Sequence, residues 1–156
     1  YALAYRVSKD ALMWRMTRSI GKGLGVGDIG EKPGPGVAMT TALSDPLILM
    51  GALELWRGSG EQAYLKLAER VGDNALKARF QKGFVVQSPD HVNCKFDDAL
   101  PLALLHLHSA LNGVDESRRP PAFWMSQGFF HCPYDGVGRT YDNQVIYSRL
   151  RGQPEP

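Results

Sequence analysis

Two helical patterns recur along this chain at a spacing of about fifty residues, and that repeat limits the fold more than any other feature. Moving the chain by 51 residues sets Arg6 on Arg57, Ser8 on Ser59, Asp10 on Glu61, Trp14 on Leu65, Met16 on Leu67, Ile20 on Val71 and Gly21 on Gly72. A displacement of 52 sets Asp45 on Asp97, Leu53 on Leu105, Leu55 on Leu107 and Gly58 on Ala110. Two kinds of helix therefore alternate, as in an array of helical hairpins in which each unit buries its apolar face by stacking on the next. Such arrays run open as a superhelix or close into an α/α toroid. The long polar loops at 21–43 and 82–96 each precede one of the matched apolar helices. Both loops thus fall at one end of the array, which favours a toroid with a working face.

Local signals place the helices. YALAYRV reads as the tail of one helix, and the chain that opens on it reads as the later part of a longer protein. Ser8 is expected to cap a second helix that Gly21 and Gly23 stop. Ser44 or Asp45, followed by Pro46, opens a third that runs to Gly58, and Gly60 and Glu61 open a fourth through EQAYLKLAERVGDNALKARFQ. Phe84 to Val86 is strand-like. Asp97 is the expected cap of a fifth helix, with Pro101 in its first turn and leucines on so many sides that it must be buried on more than one. Beyond Gly113 the helical pattern ends, and FFHC, the turn Asp135-Gly136 and QVIYSRL suggest a short β-hairpin. The expected fold class is all-α, part of an α/α toroid with a hairpin-like C-terminal segment. Residues 1–150 form one portion of a single domain and 151–156 a disordered tail.

Composition excludes several functions. A net charge of +2 with both signs interleaved gives no footprint for nucleic acid. No apolar run approaches the roughly 18–20 residues that span a bilayer. Cys94 and Cys132 have neither zinc-site nor disulfide-framework spacing. The glycine-rich stretch from Gly21 to Gly36 follows a helix and runs into Pro33 and Pro35, whereas nucleotide loops need a strand before and a helix after. Its glycines are expected to supply positive φ in successive turns.

The polar and aromatic residues gather in loops. Asp28 lies in the first loop, Asp45 and Asp98 at helix starts, and His91 and Asn93 in the second loop. Trp124, Gln127, His131, Tyr134, Asp135, Arg139, Tyr141 and Asp142 lie in the tail. Aromatic faces for stacking on sugar rings, with amides, carboxylates and Arg for directional hydrogen bonds, suit an acidic sugar polymer. Asp45 and Asp98 also read simply as helix caps, and His106 and His108, on an apolar helix, as core-edge or interface residues rather than ligands.

The phrases YRVSKDALMWRMTRSI, GLGVGDIG, KGFVVQSPDHVNCKFDDALPLALLHL and YDGVGRTYDNQVIY resemble the C-terminal part of bacterial pectate lyases of the α/α-barrel type, close to polysaccharide lyase family 2. The resemblance covers most of Tyr1 to Tyr147. It implies β-elimination on polygalacturonate assisted by a divalent metal, manganese or calcium, with an arginine as base. It further implies that the metal ligands and catalytic arginine lie in an N-terminal half outside this sequence, so that this portion alone is inactive. Substrate contacts are then expected from His91, Asp98, Tyr134, Arg139 and Tyr141 on one wall of a cleft. The partner is an acidic polysaccharide, and the whole protein is expected to be monomeric. Two rivals remain open: an α/α-barrel hydrolase of uronic-acid oligosaccharides using paired carboxylates such as Asp45 and Asp98, and a non-catalytic helical-repeat binding protein.

Overall fold

Most of the described helices begin where an acidic side chain satisfies the first backbone amides. The computed structural model describes residues 1–35, 37, 40–86 and 98–118. Helix α1 spans Ala2–Ser8 and α2 Ala11–Gly23, and the cap of α2 is Asp10, whose carboxylate accepts from the amides of Leu12 and Met13. Ser8, the cap expected from the sequence, is instead the last residue of α1. Its hydroxyl donates to the Ala4 carbonyl at 2.8 Å and accepts from the Asp10 amide at 3.1 Å. Lys9 between them adopts a left-handed φ of 56°, which ends α1 and frees Asp10 to start the next helix.

The same connection recurs one repeat later. Helix α3, Pro46–Ser59, runs one residue past Gly58, and α4 spans Gln62–Arg79. Ser59 Oγ donates to the Leu55 carbonyl and accepts from the Glu61 amide, while Gly60 takes the left-handed position with φ of 78°. The alignment of Ser8 with Ser59 therefore reflects a shared way of turning from one helix into the next.

The second alignment needs correction. Helix α5 spans Ala99–Leu111 and is capped by Asp98, not Asp97: Asp98 Oδ1 accepts from the Leu100 amide at 2.8 Å. Asp45 caps α3 in the same way, through the amides of Leu47 and Ile48. The caps are thus 53 residues apart rather than 52. Leu53 is wholly buried and Leu105 is 43% exposed, so Leu105 is not its counterpart; His106, 2% exposed, takes the inward place. Pro101 stands third in α5, where its missing N–H still costs no helical hydrogen bond.

Helices α1, α3 and α5 form one row with α3 in the middle, while α4 packs on α3 and α5 and α2 packs on α1. This alternation is the arrangement expected of a helical-hairpin array. The core joins Trp14 of α2, Leu49 and Leu53 of α3, Tyr64, Leu67 and Val71 of α4, and Ala103 of α5. At Gly72 three helices meet: a Cβ there would lie 2.6 Å from Leu107 Cδ2 and 3.4 Å from Leu49 Cδ1.

Two short strands, β1 (Phe80–Gln81) and β2 (Phe84–Val85), pair antiparallel after α4. The sequence placed Phe80 and Gln81 in the fourth helix. Instead Lys82 and Gly83, both at positive φ, form the two-residue turn that a tight hairpin requires and so end the helix early. A 3-10 turn at Glu116–Arg118 follows α5. The hairpin expected from FFHC and QVIYSRL, and the tail 151–156, lie outside the described residues.

The packing at Gly72 gives a direct test. Gly72→Val, whose side chain has no space between Leu107 and Leu49, is expected to lower stability by about 1–3 kcal/mol through overpacking, read as a fall in thermal midpoint. An unchanged midpoint would mean that α3, α4 and α5 do not meet at this point.

Candidate functional site

The first loop is tied to the helices it joins through residues 26–34. Val26 and Ile29 are buried, and Gly25, Gly27 and Gly30 take positive φ, as the glycine pattern predicts. Trp14 Nε1 donates to the Gly30 carbonyl at 3.0 Å. Tyr64 donates its hydroxyl to the Ile29 carbonyl and accepts from the Gly34 amide, each at 3.1 Å, and burial pushes its phenol above the ordinary value. Asp28 accepts from Arg18 at 2.6 and 2.8 Å and from the Gly30 amide at 2.9 Å, with Lys22 Nζ at 2.7 Å. Those groups, Arg18 foremost, hold the Asp28 carboxyl well below the usual carboxylate range. Asp28 therefore works as a clamp between loop and helix.

Alongside this loop, α1, α2 and α3 border a cleft of about 790 Å³. Leu3, Ile20, Leu24, Leu47 and Ile48 line its walls, with Val26 and Ile29 of the loop beneath. Leu3, Leu24 and Leu47 are about half exposed, so an apolar surface faces outward. A concave apolar wall of this size with a few charged groups at its edge is the usual form of a small-ligand site. The charged groups here are Arg6, Asp45, Glu54 and Glu116.

Three of these belong to a network across the α1–α3–α5 row. Glu54, buried within apolar α3, places Oε1 2.7 Å from Arg57 Nη1 and Oε2 2.8 Å from Arg6 Nε. The second approach is off the N–H axis, so Oε2 meets the Arg6 charge without a hydrogen bond. Arg6 also donates from Nη1 to both oxygens of Glu116, at 2.9 and 3.2 Å. Arg57 Nη2 lies 3.3 Å from His106 Nδ1. A guanidinium only donates, so Nδ1 accepts and the ring proton sits on Nε2. His106 is thus the core-edge residue that the sequence implied, and His108 is exposed on the outer side of α5.

Of the expected substrate contacts, only Asp98 is among the described residues; His91, Tyr134, Arg139 and Tyr141 lie outside them. Asp98 gives Oδ1 to the Leu100 amide and Oδ2 to Arg79 Nη2, and Arg79 Nε donates to the Val86 carbonyl at 2.8 Å. Its side chain is 6% exposed, and it does not border the cleft. It ties the start of α5 to the end of α4 and to the β-hairpin. Asp45 borders the cleft and caps α3. Sequence reasoning passed over Glu54, Arg57 and Glu116. The clues were there: Arg6 and Arg57 coincide in the repeat, and Glu54 is the one charge in LILMGALELW. Among the described residues, no three or more His, Cys, Asp or Glu side chains gather as a cation seat.

The family model described as periplasmic pectate lyase matches residues 1–133. The matched span takes in the five α-helices of the described residues, the first loop and the cleft.

Asp98→Asn keeps a side-chain oxygen for the cap but removes the charge facing Arg79. It is expected to cost about 3 kcal/mol, because a largely buried guanidinium loses its partner, and denaturant unfolding would measure it. For Asp28 the folded carboxyl titrates below its unfolded counterpart. Its contribution to holding the loop is therefore present above about pH 3.9 and is lost only as pH falls through the lowered value. Hydrogen exchange at the Gly30 amide should accordingly stay slow well into acid. In Asp28→Asn it should be faster throughout the neutral range, and equal rates in the two proteins would refute the clamp.

Proposed function

Because the chain belongs to the periplasmic pectate lyase family, we propose that it forms part of an enzyme that cleaves polygalacturonate or oligogalacturonides by β-elimination. The family match over residues 1–133 carries this reading. In the reaction a base takes the C5 proton of a galacturonate unit, the electron pair forms the C4–C5 double bond, the C4–O4 bond breaks, and the leaving oxygen takes up a proton. The fragments are a new chain end and a 4,5-unsaturated uronate. Negative charge develops beside a carboxylate that is already negative, so cationic donors fixed near it lower the barrier most.

On this reading residues 1–150 are the C-terminal portion of an α/α-toroid catalytic domain. The alternating rows α1, α3, α5 and α2, α4 support it, since closing such rows on themselves makes a toroid. His91, Tyr134, Arg139 and Tyr141 would contact the polymer. Asp98, with both oxygens engaged, would hold the base of the loop that carries His91. The divalent cation implied by the resemblance, manganese or calcium, finds no gathered ligand set among the described residues, and no step is assigned to it. The base belongs to the same proposed remainder of the domain.

The test is to incubate the full-length polypeptide with polygalacturonate and follow ultraviolet absorbance of the conjugated product. Absorbance should rise, stop on chelation and return with manganese or calcium. New reducing ends without absorbance would sink elimination in favour of hydrolysis.

A further inference from the structure

Helix α1 reaches only half-way along its neighbour in the row. It has 7 residues where α3 has 14 and α5 has 13, so it is about 10 Å long against about 21 Å for α3. The two helices are level at their C-terminal ends. A Cβ at Gly58 would lie 3.3 Å from Arg6 Cα, Lys9 Nζ donates to the Gly58 carbonyl, and Arg6 Nε meets Glu54 at 2.8 Å. The first half of α3, where Leu47, Ile48 and Gly51 border the cleft, therefore runs on beyond Tyr1. Helix α2, with 13 residues, turns back along α1 and overshoots it too, which is why Ile20 and Leu24 face the same cleft.

The next repeat shows what such a place takes. The alignment sets Ile20 on Val71 and Gly21 on Gly72. Val71 is wholly buried, and Gly72 is closed over by Leu49 from α3. Ile20, by contrast, is 40% exposed, and the nearest neighbours of a Cβ at Gly21 would be Gly27, Val26 and Ile29 of the first loop, none of them from α1. On the α3 wall, a Cβ at Gly51 would find nothing within 4 Å. Glycines with open space before them let another backbone approach closely. Both walls of the cleft are thus shaped to take a helix, and the repeat gives its line: parallel to α3 and continuous with α1.

We propose that the cleft is the seat of about two further turns of α1, an apolar helical segment that precedes Tyr1 in the full-length polypeptide and packs between α2 and the first half of α3. That a longer polypeptide exists rests on the function proposed above; that a helix fills the cleft rests on the geometry of the repeat. With the seat filled, Leu47, Ile48 and Ile20 become core residues of the domain, and the cleft is closed to sugar.

Two measurements on the full-length protein test this. Ala2 directly follows the cap of α1, and Ala11 directly follows the cap of α2. Proline is tolerated at the first residue of a helix and disruptive in its interior. Ala11→Pro should therefore leave the thermal midpoint unchanged, while Ala2→Pro, in the middle of the longer helix, should lower it by about 5 °C or more. Equal midpoints would overturn the proposal, because α1 would then begin at Ala2. In the second measurement Leu47→Cys, half exposed in this structure, should react with a maleimide about a hundredfold more slowly than Glu69→Cys on the exposed side of α4, each read on its own peptide by mass spectrometry. Rapid reaction at Leu47→Cys would overturn the helix, in favour of a sugar site where digalacturonate slows it. Protection that disappears on dilution would overturn it in favour of a second copy of the chain. The ultraviolet assay on the unsubstituted protein reports the function separately. No unsaturated product, with Leu47→Cys protected and Ala2→Pro destabilised, would sink the pectate reading and leave the helix seat standing.

Discussion

The burial of α3 is the constraint on which the rest of the structure depends. Its apolar run leaves little polar face, so beyond the exposed Leu47 at its start it takes neighbours on several sides. Leu49 and Leu53 are wholly buried, and burial of one such side chain is worth roughly 1.5–3 kcal/mol. The neighbours are α1 and α5 in its own row and α4 across from it. Gly72 lets α4 come close enough to complete that contact. Once α3 is enclosed in this way, the cleft, the ion network and the direction of the first loop all follow from where its remaining side chains point.

A helix enclosed this way carries a charge only if the charge is matched. Glu54 is matched by two arginines from successive repeats, Arg6 on α1 and Arg57 on α3 itself. Such a group costs desolvation and contributes less to stability than an apolar residue would, but it fixes the guanidinium planes that surround it. The network therefore contributes orientation more than cohesion.

The first loop is held by a different means. A segment as rich in glycine as 21–36 loses much conformational freedom on folding, and apolar contact through Val26 and Ile29 offsets only part of that. The remainder comes from Trp14, Tyr64 and Asp28, each of which bonds a backbone group of the loop. The loop ends up as a fixed floor beside the cleft.

Much of the fold is legible in the residues because its signals are local. Asp45 before Pro46, glycines in the positive-φ turns and the apolar period of each helix act within a few residues, and the Ser8 and Ser59 connections repeat because the same atoms make them. The misplacements are equally instructive. Asp97 and Asp98 have the same chemistry in the sequence; Asp98 is the cap, and its other oxygen takes Arg79 from the far end of α4. Leu105 and His106 are adjacent, and it is the histidine that turns inward, where it meets Arg57. The family, too, was legible in the phrases of the sequence. The carboxylate between two arginines was not, because Arg6, Glu54, Arg57 and Glu116 span more than a hundred residues of chain. The sequence by itself determined the helices, their order and the kind of array they form, since propensity, capping and periodicity are short-range. Tertiary structure alone decided which charges face one another and where the cleft opens, because those depend on how three separate helices approach.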